Sequence, residues 1–192
     1  MSKILKINFT LFLLGIIISF YFSNFFVPSE DAAILFRYSE NLSETGIISY
    51  NFNGVRSEGA TDFLWMLILS FFKKLGFDIY FISVFLNLIS IVLSSNILVR
   101  HFKLDLKFIY FIILAHIPFG FFWASIFGFS NLFVELILIC LLISFDKNDY
   151  KKILFFSFVG TLIRPDFILF CILINIYYLF KINKKSQIIY LI

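Results

Sequence analysis

Six carboxylates lie in one polar interval, residues 27–65, of a chain that is otherwise strongly apolar. They are half of the twelve acidic residues, and only two bases accompany them. A carboxylate can act as a general base toward a hydroxyl group or bind a divalent cation, and a guanidinium can bind phosphate. The charged residues of this interval are Glu30, Asp31, Glu40, Glu44, Glu58 and Asp62, with Arg37 and Arg56.

Glu30 and Asp31 stand directly after the first apolar run. Adjacent carboxylates there could bind a divalent cation, or one could take the proton of an acceptor hydroxyl. The structural alternative is that acidic residues suit a helix N-terminus, with Ser29 as its N-cap. On this pair alone the structural interpretation is favoured.

The residues after the acidic pair predict an amphipathic helix over 32–42. Such a helix can lie at the membrane surface and hold an acid at the boundary between water and lipid. Arg37 lies on its polar face, and Arg56 follows in the loop. Each is a candidate for binding phosphate, and pairing with neighbouring Glu residues is an equally good explanation.

Arg164-Pro165-Asp166 is a second polar feature, at the end of a later apolar run. Ionisable residues at membrane depth are costly and are therefore candidates for function. The structural alternative is a helix break in which the Arg pairs with the Asp. Glu135 lies one turn inside an apolar run, so it needs a partner or a proton. His116 is expected to be a neutral hydrogen-bond partner between helices rather than a metal ligand.

The composition indicates the class of protein that must position these residues. Of the 192 residues, 61% are hydrophobic and 15% are charged, with 30 Phe, whereas soluble domains have about 45–50% apolar and about 25% charged residues. A chain this small cannot bury so much apolar surface in one aqueous core. The sequence also lacks the alternating apolar and polar pattern that the strands of a membrane barrel would show. The sequence predicts an all-α polytopic protein of the lipid bilayer.

The charge and cysteine content argue against other classes. The net charge of +4 comes from Lys and Arg in short loops, as membrane topology requires, so no nucleic-acid partner is expected. Cys140 and Cys171 lie in apolar runs, where thiols behave as small buried hydrophobes. We expect neither a disulfide nor a metal site there, and the one cofactor under consideration is a divalent cation.

The apolar runs predict a single transmembrane domain, residues 1–192, with about six spans. An outer loop, residues 28–62, follows the first span, and the N-terminus is inside because Lys3 and Lys6 precede that span. Pro118 is expected to kink the third span without ending it. A seventh span is expected to begin near Ser186. The predicted spans are 7–27, 79–99, 108–123, 131–145, 153–163 and 167–180.

The short apolar run 63–72 allows two topologies. If it crosses the membrane, the basic cluster at 100–107 falls outside, against the positive-inside rule. If it lies along the outer interface, that cluster and the later basic loops fall inside. The interfacial placement is therefore preferred.

The polar interval resembles the N-terminal part of GT-C-type membrane glycosyltransferases, and the arabinofuranosyltransferase-like bacterial group in particular. That group commonly has an acidic pair before an Arg-Tyr helix, then Glu-Gly-x-Thr and Leu-Trp. Its later Arg-Pro-Glu is similar to Arg164-Pro165-Asp166. The matching residues here are Glu30-Asp31-Ala32-Ala33-Ile34, Phe36-Arg37-Tyr38, Asn41-Leu42, Asn53-Gly54, Glu58-Gly59-Ala60-Thr61 and Phe63-Leu64-Trp65.

The resemblance implies a GT-C-like helix bundle whose first outer loop carries interfacial helices. It implies an enzyme of the bacterial inner (plasma) membrane with its active side outside. Such an enzyme moves a sugar from a polyprenyl-phosphate donor to a glycan, lipid or protein of the cell envelope. Asp31 matches the catalytic acid of the family, with Glu30 beside it. The candidates for donor binding are Arg37, Arg56 and Arg164 for the phosphate, Glu58 for sugar hydroxyls, and Asp166.

Two other interpretations stay open. Family members are usually much longer, so the chain is expected to be an N-terminal portion, which could be inactive on its own. The second is a non-catalytic membrane carrier or assembly subunit, which predicts polar residues converging at mid-bilayer in a discontinuous helix. The polar residues of this sequence concentrate instead at the outer boundary, which favours the enzyme.

Overall fold

A computed structural model describes residues 3–52, 54–57 and 61–181, and every regular element in this part of the chain is helical. A short 3-10 turn, Pro165–Phe167, precedes the last helix. The helices are α1 (Lys3–Phe25), α2 (Glu30–Thr45), α3 (Phe63–Lys74), α4 (Ile79–His101), α5 (Phe108–His116), α6 (Gly120–Ile126), α7 (Asn131–Asp146), α8 (Tyr150–Ile163) and α9 (Ile168–Lys181).

The 23-residue helix α4 is the centre of the bundle. Asp78 caps its start, because the Asp78 side chain accepts a hydrogen bond of 2.7 Å from the N–H of Phe81. α1 packs antiparallel to α4, and Asn96 near the end of α4 donates a 3.0 Å hydrogen bond to Asn8 near the start of α1. α7 runs in the same direction as α4 and contacts it along its length.

Apolar side chains form two neighbouring cores. The first lies between α2, α3, α4 and α6, where Trp65, Leu69 and Ile126 are fully buried. The second lies between α7, α8 and α9, around Leu141. Phe133 of α7 packs against both cores, and its ring centroid lies 5.3 Å from that of Trp65. The two cores therefore hold the beginnings of α2, α3 and α7 and the end of α8 together.

Two of the described helices, α1 and α4, are long and apolar enough to cross a membrane, and α5 with α6 makes a third if the pair is one span. α1 exposes large apolar side chains such as Phe9 and Phe20, as a helix against lipid would. α7, α8 and α9 have 16, 14 and 14 residues, fewer than the about 20 that a span needs. The six spans stay a prediction, and Ser186 lies outside the described residues.

The third predicted span is broken rather than kinked. α5 ends at His116, α6 begins at Gly120, and the two helices are bent by 83°. Pro118 lies in the break and has no N–H with which to continue the helix. The N–H of Phe119 instead bonds the carbonyl of His116 at 3.0 Å, in a tight turn. The prediction that Pro118 kinks this helix without ending it is wrong.

Both ends of α3 lie at the same end of the bundle. Its first residue follows Asp62, whose carboxylate is bonded to Ser130 just before α7. Its last residue is separated from Asp78, where α4 begins, by a short turn, and the first turns of α4 also contact the turn 127–130. This geometry favours the interfacial placement of the run 63–72, which stays a prediction.

Candidate functional site

α2 positions Asp31 at the edge of the bundle. The chain enters this helix through Ser29, whose N–H donates a 3.0 Å hydrogen bond to the carbonyl of Phe127. Ser29 is the N-cap residue of this helix, as predicted, although its side chain makes no capping hydrogen bond. α2 is longer than predicted and ends at Gly46, whose left-handed φ of 72° closes the helix.

The turn 127–130 is the support against which α2 rests. Gly128 there has a φ of 109° and lies against the side chains of Ala32 and Phe36. Two buried polar side chains of α4 hold the turn: Ser83 donates a 3.0 Å hydrogen bond to the carbonyl of Gly128, and the Asn87 amide donates one of 2.8 Å to the carbonyl of Phe129. A buried carbonyl without such partners would be costly, so α4 determines where this turn lies.

Asp62 brings a second carboxyl to the same place. It stands at the N-cap position of α3, and the Ser130 hydroxyl donates a 2.7 Å hydrogen bond to its Oδ2 atom. Burial raises the pKa of Asp62 above the ordinary value, and the hydrogen bond from Ser130 and the charge of Arg164 oppose this effect only partly. Asp62 is thus a half-buried carboxyl that holds its proton more strongly than a carboxyl in water.

Arg164 enters from the opposite side, at the end of α8. Its Nη1 atom donates a 2.9 Å hydrogen bond to the Asn131 side chain, and its Nε atom lies 3.3 Å from a carboxylate oxygen of Asp166. A guanidinium has five N–H donors in a fixed plane. These two contacts therefore fix the orientation of the group and leave further donors for a ligand.

Asp31, Asp62 and Arg164 line one cleft of about 330 Å³, at the end of the bundle where α2 begins. The cleft is formed where α2, the start of α3, the turn 127–130 and the end of α8 meet. Two carboxyl groups and one guanidinium are its charged lining groups among the described residues, so it suits a polar ligand of about the size of a sugar ring. Its lining includes Asp31, Ala32, Asp62, Gly128, Phe129 and Arg164.

An apolar groove of about 570 Å³ adjoins the cleft, and Arg164 lines both. The groove lies between α6, α7 and α9. Aromatic and aliphatic side chains make most of its surface, while the carboxylate of Asp166 stands at its rim. Its lining includes Phe119, Phe121, Leu138, Phe167 and Phe170.

A second polar pair lines this groove. His116 Nε2 lies 2.8 Å from Glu135 Oε1, and His116 Nδ1 lies 2.6 Å from the carbonyl of Ile112. A carbonyl only accepts, so Nδ1 must carry a proton. The Nε2 atom therefore faces the Glu135 carboxyl group, and one hydrogen bond joins the two side chains. Glu135 has a partner and His116 bridges two helices, as expected; that His116 is neutral stays a prediction.

The structure brings together some of the predicted site residues and separates others. Asp31 and Arg164 line the cleft, and Asp166 lies beside Arg164 at the groove. Glu30 is exposed and is not part of the cleft lining. The Arg164–Asp166 pair expected from a helix break is also present, so the structural explanation of this motif is confirmed.

Of the remaining predicted residues, Arg37 and Arg56 are not part of the cleft lining. Arg37 lies 3.7 Å from Glu40 on its own helix, and Glu40 also contacts Lys73 at 3.4 Å, as the ion-pair explanation of Arg37 predicts. Arg56 is exposed in the loop 54–57. Glu58 lies outside the described residues. Asp62 was not among the predicted site residues, although an acid directly before the apolar run 63–72 was visible in the sequence.

The described residues contain no group of three or more His, Cys, Asp or Glu side chains arranged to hold a metal ion. The site is therefore defined by two carboxyls, one guanidinium and an adjoining apolar groove. Comparisons of the chain with protein-family models, with curated proteins and with solved structures find no match.

Proposed function

We propose that the chain is the membrane part of a GT-C-type glycosyltransferase of the bacterial plasma membrane. It moves a sugar from a polyprenyl-phosphate donor to a cell-envelope acceptor on the outer side. The observation that carries this proposal is the place of Arg164, which lines both the polar cleft with Asp31 and the apolar groove beside it. A ligand with a phosphate between a sugar and a long apolar chain requires these surfaces in this order.

The residues of the cleft take distinct roles in this reaction. The Asp31 carboxylate accepts the proton of the acceptor hydroxyl as the hydroxyl oxygen attacks the anomeric carbon of the sugar. Arg164 binds the phosphate and stabilises the negative charge that grows there as the bond to the sugar breaks. Because one carboxylate acts as a base and none as a nucleophile, transfer inverts the configuration at the anomeric carbon.

The test compares two adjacent carboxylates that the structure separates. Asp31→Asn should lower transfer by about 10²–10⁴-fold, the usual contribution of a general base, because Asp31 lines the cleft. Glu30→Gln is the matched control and should retain most activity, since Glu30 is exposed and outside the cleft lining. The assay follows radiolabelled sugar from a panel of polyprenyl-phosphate sugars into envelope material, in membranes containing equal amounts of each variant. Near-normal transfer by Asp31→Asn would refute the proposal.

A carrier of amphiphilic molecules is the second candidate, and one observation favours it. α5 and α6 form a discontinuous helix with an 83° bend, and the His116–Glu135 pair lies beside the break. Broken helices with polar residues at the break are typical of transport sites. Movement of a fluorescent prenyl phosphate across proteoliposomes, lost in Glu135→Gln and kept in Asp31→Asn, would support the carrier over the enzyme.

A further inference from the structure

The charges around the cleft present a problem for any phosphate ligand. Arg164 is the one cation in the cleft lining that the structure describes, and it already contacts Asp166. Asp31 of α2 and Asp62 at the start of α3 line the same cleft. With all three carboxyls ionised, the cleft and its rim carry more negative than positive charge. A phosphate would add to this imbalance, and a proton taken up on binding would reduce it.

The surroundings of the three carboxyls differ, and only one of them suits that proton. Asp31 is exposed, and the side chain of Asp166 is 68% exposed, so both are well hydrated. Asp62 is half-buried and close enough to Arg164, and to Asp166, for their charges to affect it. Its neighbour Ser130 is fully buried and uncharged. Asp62 is therefore the least hydrated of the three carboxyls, and its burial favours a proton on it when a phosphate arrives.

We propose that Asp62 is a second functional carboxyl of this site, and that it binds the ligand phosphate in its protonated form, donating a hydrogen bond beside Arg164. The inference rests on the proposed function, since it needs a phosphate at Arg164. Burial already raises the pKa of Asp62 without a ligand, and the negative charge of the phosphate raises it further. Two carboxyls in one cleft then differ in protonation because their environments differ.

The proton on Asp62 also has a place in the transfer step. The acceptor O–H bond breaks and its proton passes to Asp31, while the acceptor oxygen forms the new bond to the anomeric carbon. The bond between that carbon and the phosphate oxygen breaks, and the departing oxygen takes the proton of Asp62. The lipid phosphate therefore leaves with one negative charge rather than two. Proton exchange with water then restores both carboxyls.

Isothermal titration calorimetry of the full chain in detergent micelles tests this proposal without knowledge of the sugar. The probe is farnesyl methyl phosphate, a prenyl phosphodiester whose single charge does not change between about pH 5 and 8. Titrations in two buffers of different ionisation enthalpy give the number of protons taken up on binding. Wild type should take up a proton, to a maximum of one per ligand within this range, and its affinity should fall as pH rises, by at most about tenfold per pH unit.

Substitution of Asp62 provides the decisive comparison. Asp62→Asn should bind the probe with no proton uptake at any pH, since its amide can still donate to the phosphate and accept from Ser130. Glu30→Gln is the matched control, because Glu30 is an exposed carboxylate outside the cleft lining, and it should keep the wild-type proton uptake. Proton uptake that is absent in wild type, or unchanged in Asp62→Asn, would overturn the inference while leaving the proposed function in place.

Failure of the proposed function gives a different result. Arg164→Gln should weaken binding of the probe by at least about tenfold, because it removes the charge-assisted hydrogen bonds to phosphate. Binding that is undetectable in wild type, or equal in wild type and Arg164→Gln, would remove the phosphate from this cleft and the inference with it. Ser130→Ala keeps the carboxyl but removes a hydrogen bond that lowers its pKa, so proton uptake should persist and move to higher pH. That result would separate loss of the titrating group in Asp62→Asn from loss of the local fold.

Discussion

The contact between α2 and the turn 127–130 can be tested by adding a single methyl group. Gly128 has a φ of 109°, and a Cβ atom at this position would lie 2.8 Å from the Cβ atom of Ala32 and 2.8 Å from the Cζ atom of Phe36. The Phe36 ring can turn, but the Ala32 methyl group is fixed to the backbone of α2. Gly128→Ala should therefore push the first turn of α2, which carries Asp31, away from the turn 127–130.

The cost of this change has two parts. A side chain on a residue in a left-handed conformation destabilises the folded state by about 1–2 kcal/mol. Excess volume in a well-packed region destabilises it by about 1–3 kcal/mol. We expect Gly128→Ala to lower the free energy of unfolding by about 2–5 kcal/mol. This is a large share of the about 5–15 kcal/mol of stability of a typical protein.

Substitutions at two other glycines measure the conformational and packing contributions separately. Gly46 also has a positive φ, 72°, but a Cβ atom there would meet nothing within 4 Å. Gly46→Ala should therefore lower the free energy of unfolding by the conformational contribution alone, about 1–2 kcal/mol. Gly120, at the start of α6, has open space and no positive φ, so Gly120→Ala should be neutral or stabilise by up to about 1 kcal/mol.

Thermal unfolding of the purified variants in detergent gives the order of stability. Gly120→Ala should unfold at or slightly above the wild-type temperature, Gly46→Ala below it, and Gly128→Ala lowest. Gly128→Ala should also bind prenyl phosphate differently from Gly46→Ala, because only the former moves Asp31. If Gly128→Ala were as stable as Gly46→Ala, α2 would not rest on the turn 127–130, and the shape of the cleft derived from that contact would be wrong.

Two further predictions concern topology and the polar pair of the groove. The topology is tested with single cysteines in a background without Cys140 and Cys171. A cysteine that replaces Ser57 should react with a membrane-impermeant maleimide from outside in intact cells, and one that replaces Lys103 should react only after the membrane is opened. Labelling of the cysteine at position 103 from outside would instead indicate that the run 63–72 crosses the membrane. Glu135→Ala should lower the free energy of unfolding by about 1–3 kcal/mol, because it leaves His116 Nε2 half-buried and unpaired. Glu135→Gln should lower the free energy of unfolding by less. Equal thermal stability of the two variants would show that the hydrogen bond contributes nothing.

Local patterns in the sequence predicted the helices well. The apolar runs and the amphipathic segment after the acidic pair correspond to α1, α2, α4 and α7 within a few residues at most ends. The break at Pro118 was underestimated, because a proline in a membrane helix is often accommodated as a kink. Here Gly120 follows shortly after, and the chain turns before α6 begins.

The composition of the cleft was predicted only in part, for a physical reason. Asp31 and Arg164 were found from residue types that are rare beside apolar runs. The role of Asp62 depends on burial and on a hydrogen bond from Ser130, 68 positions away in the chain, and no local pattern reports such a contact. Arg37 is the opposite case, since its spacing of three from Glu40 already indicated a pair on one helix face.

Arg164 shows why the structural and functional explanations of the Arg-Pro-Asp motif are compatible. Its contacts with Asp166 and Asn131 use the Nε and one Nη1 donor, and both donors of Nη2 remain for a ligand. An unheld guanidinium would lose side-chain entropy on binding phosphate, whereas these contacts order the group in advance and so reduce that cost. The break at Pro165 ends α8 directly after this side chain and places Asp166 where it can pair with it. The helix break therefore orders Arg164 in a way that suits the proposed phosphate ligand, and it does not exclude that role.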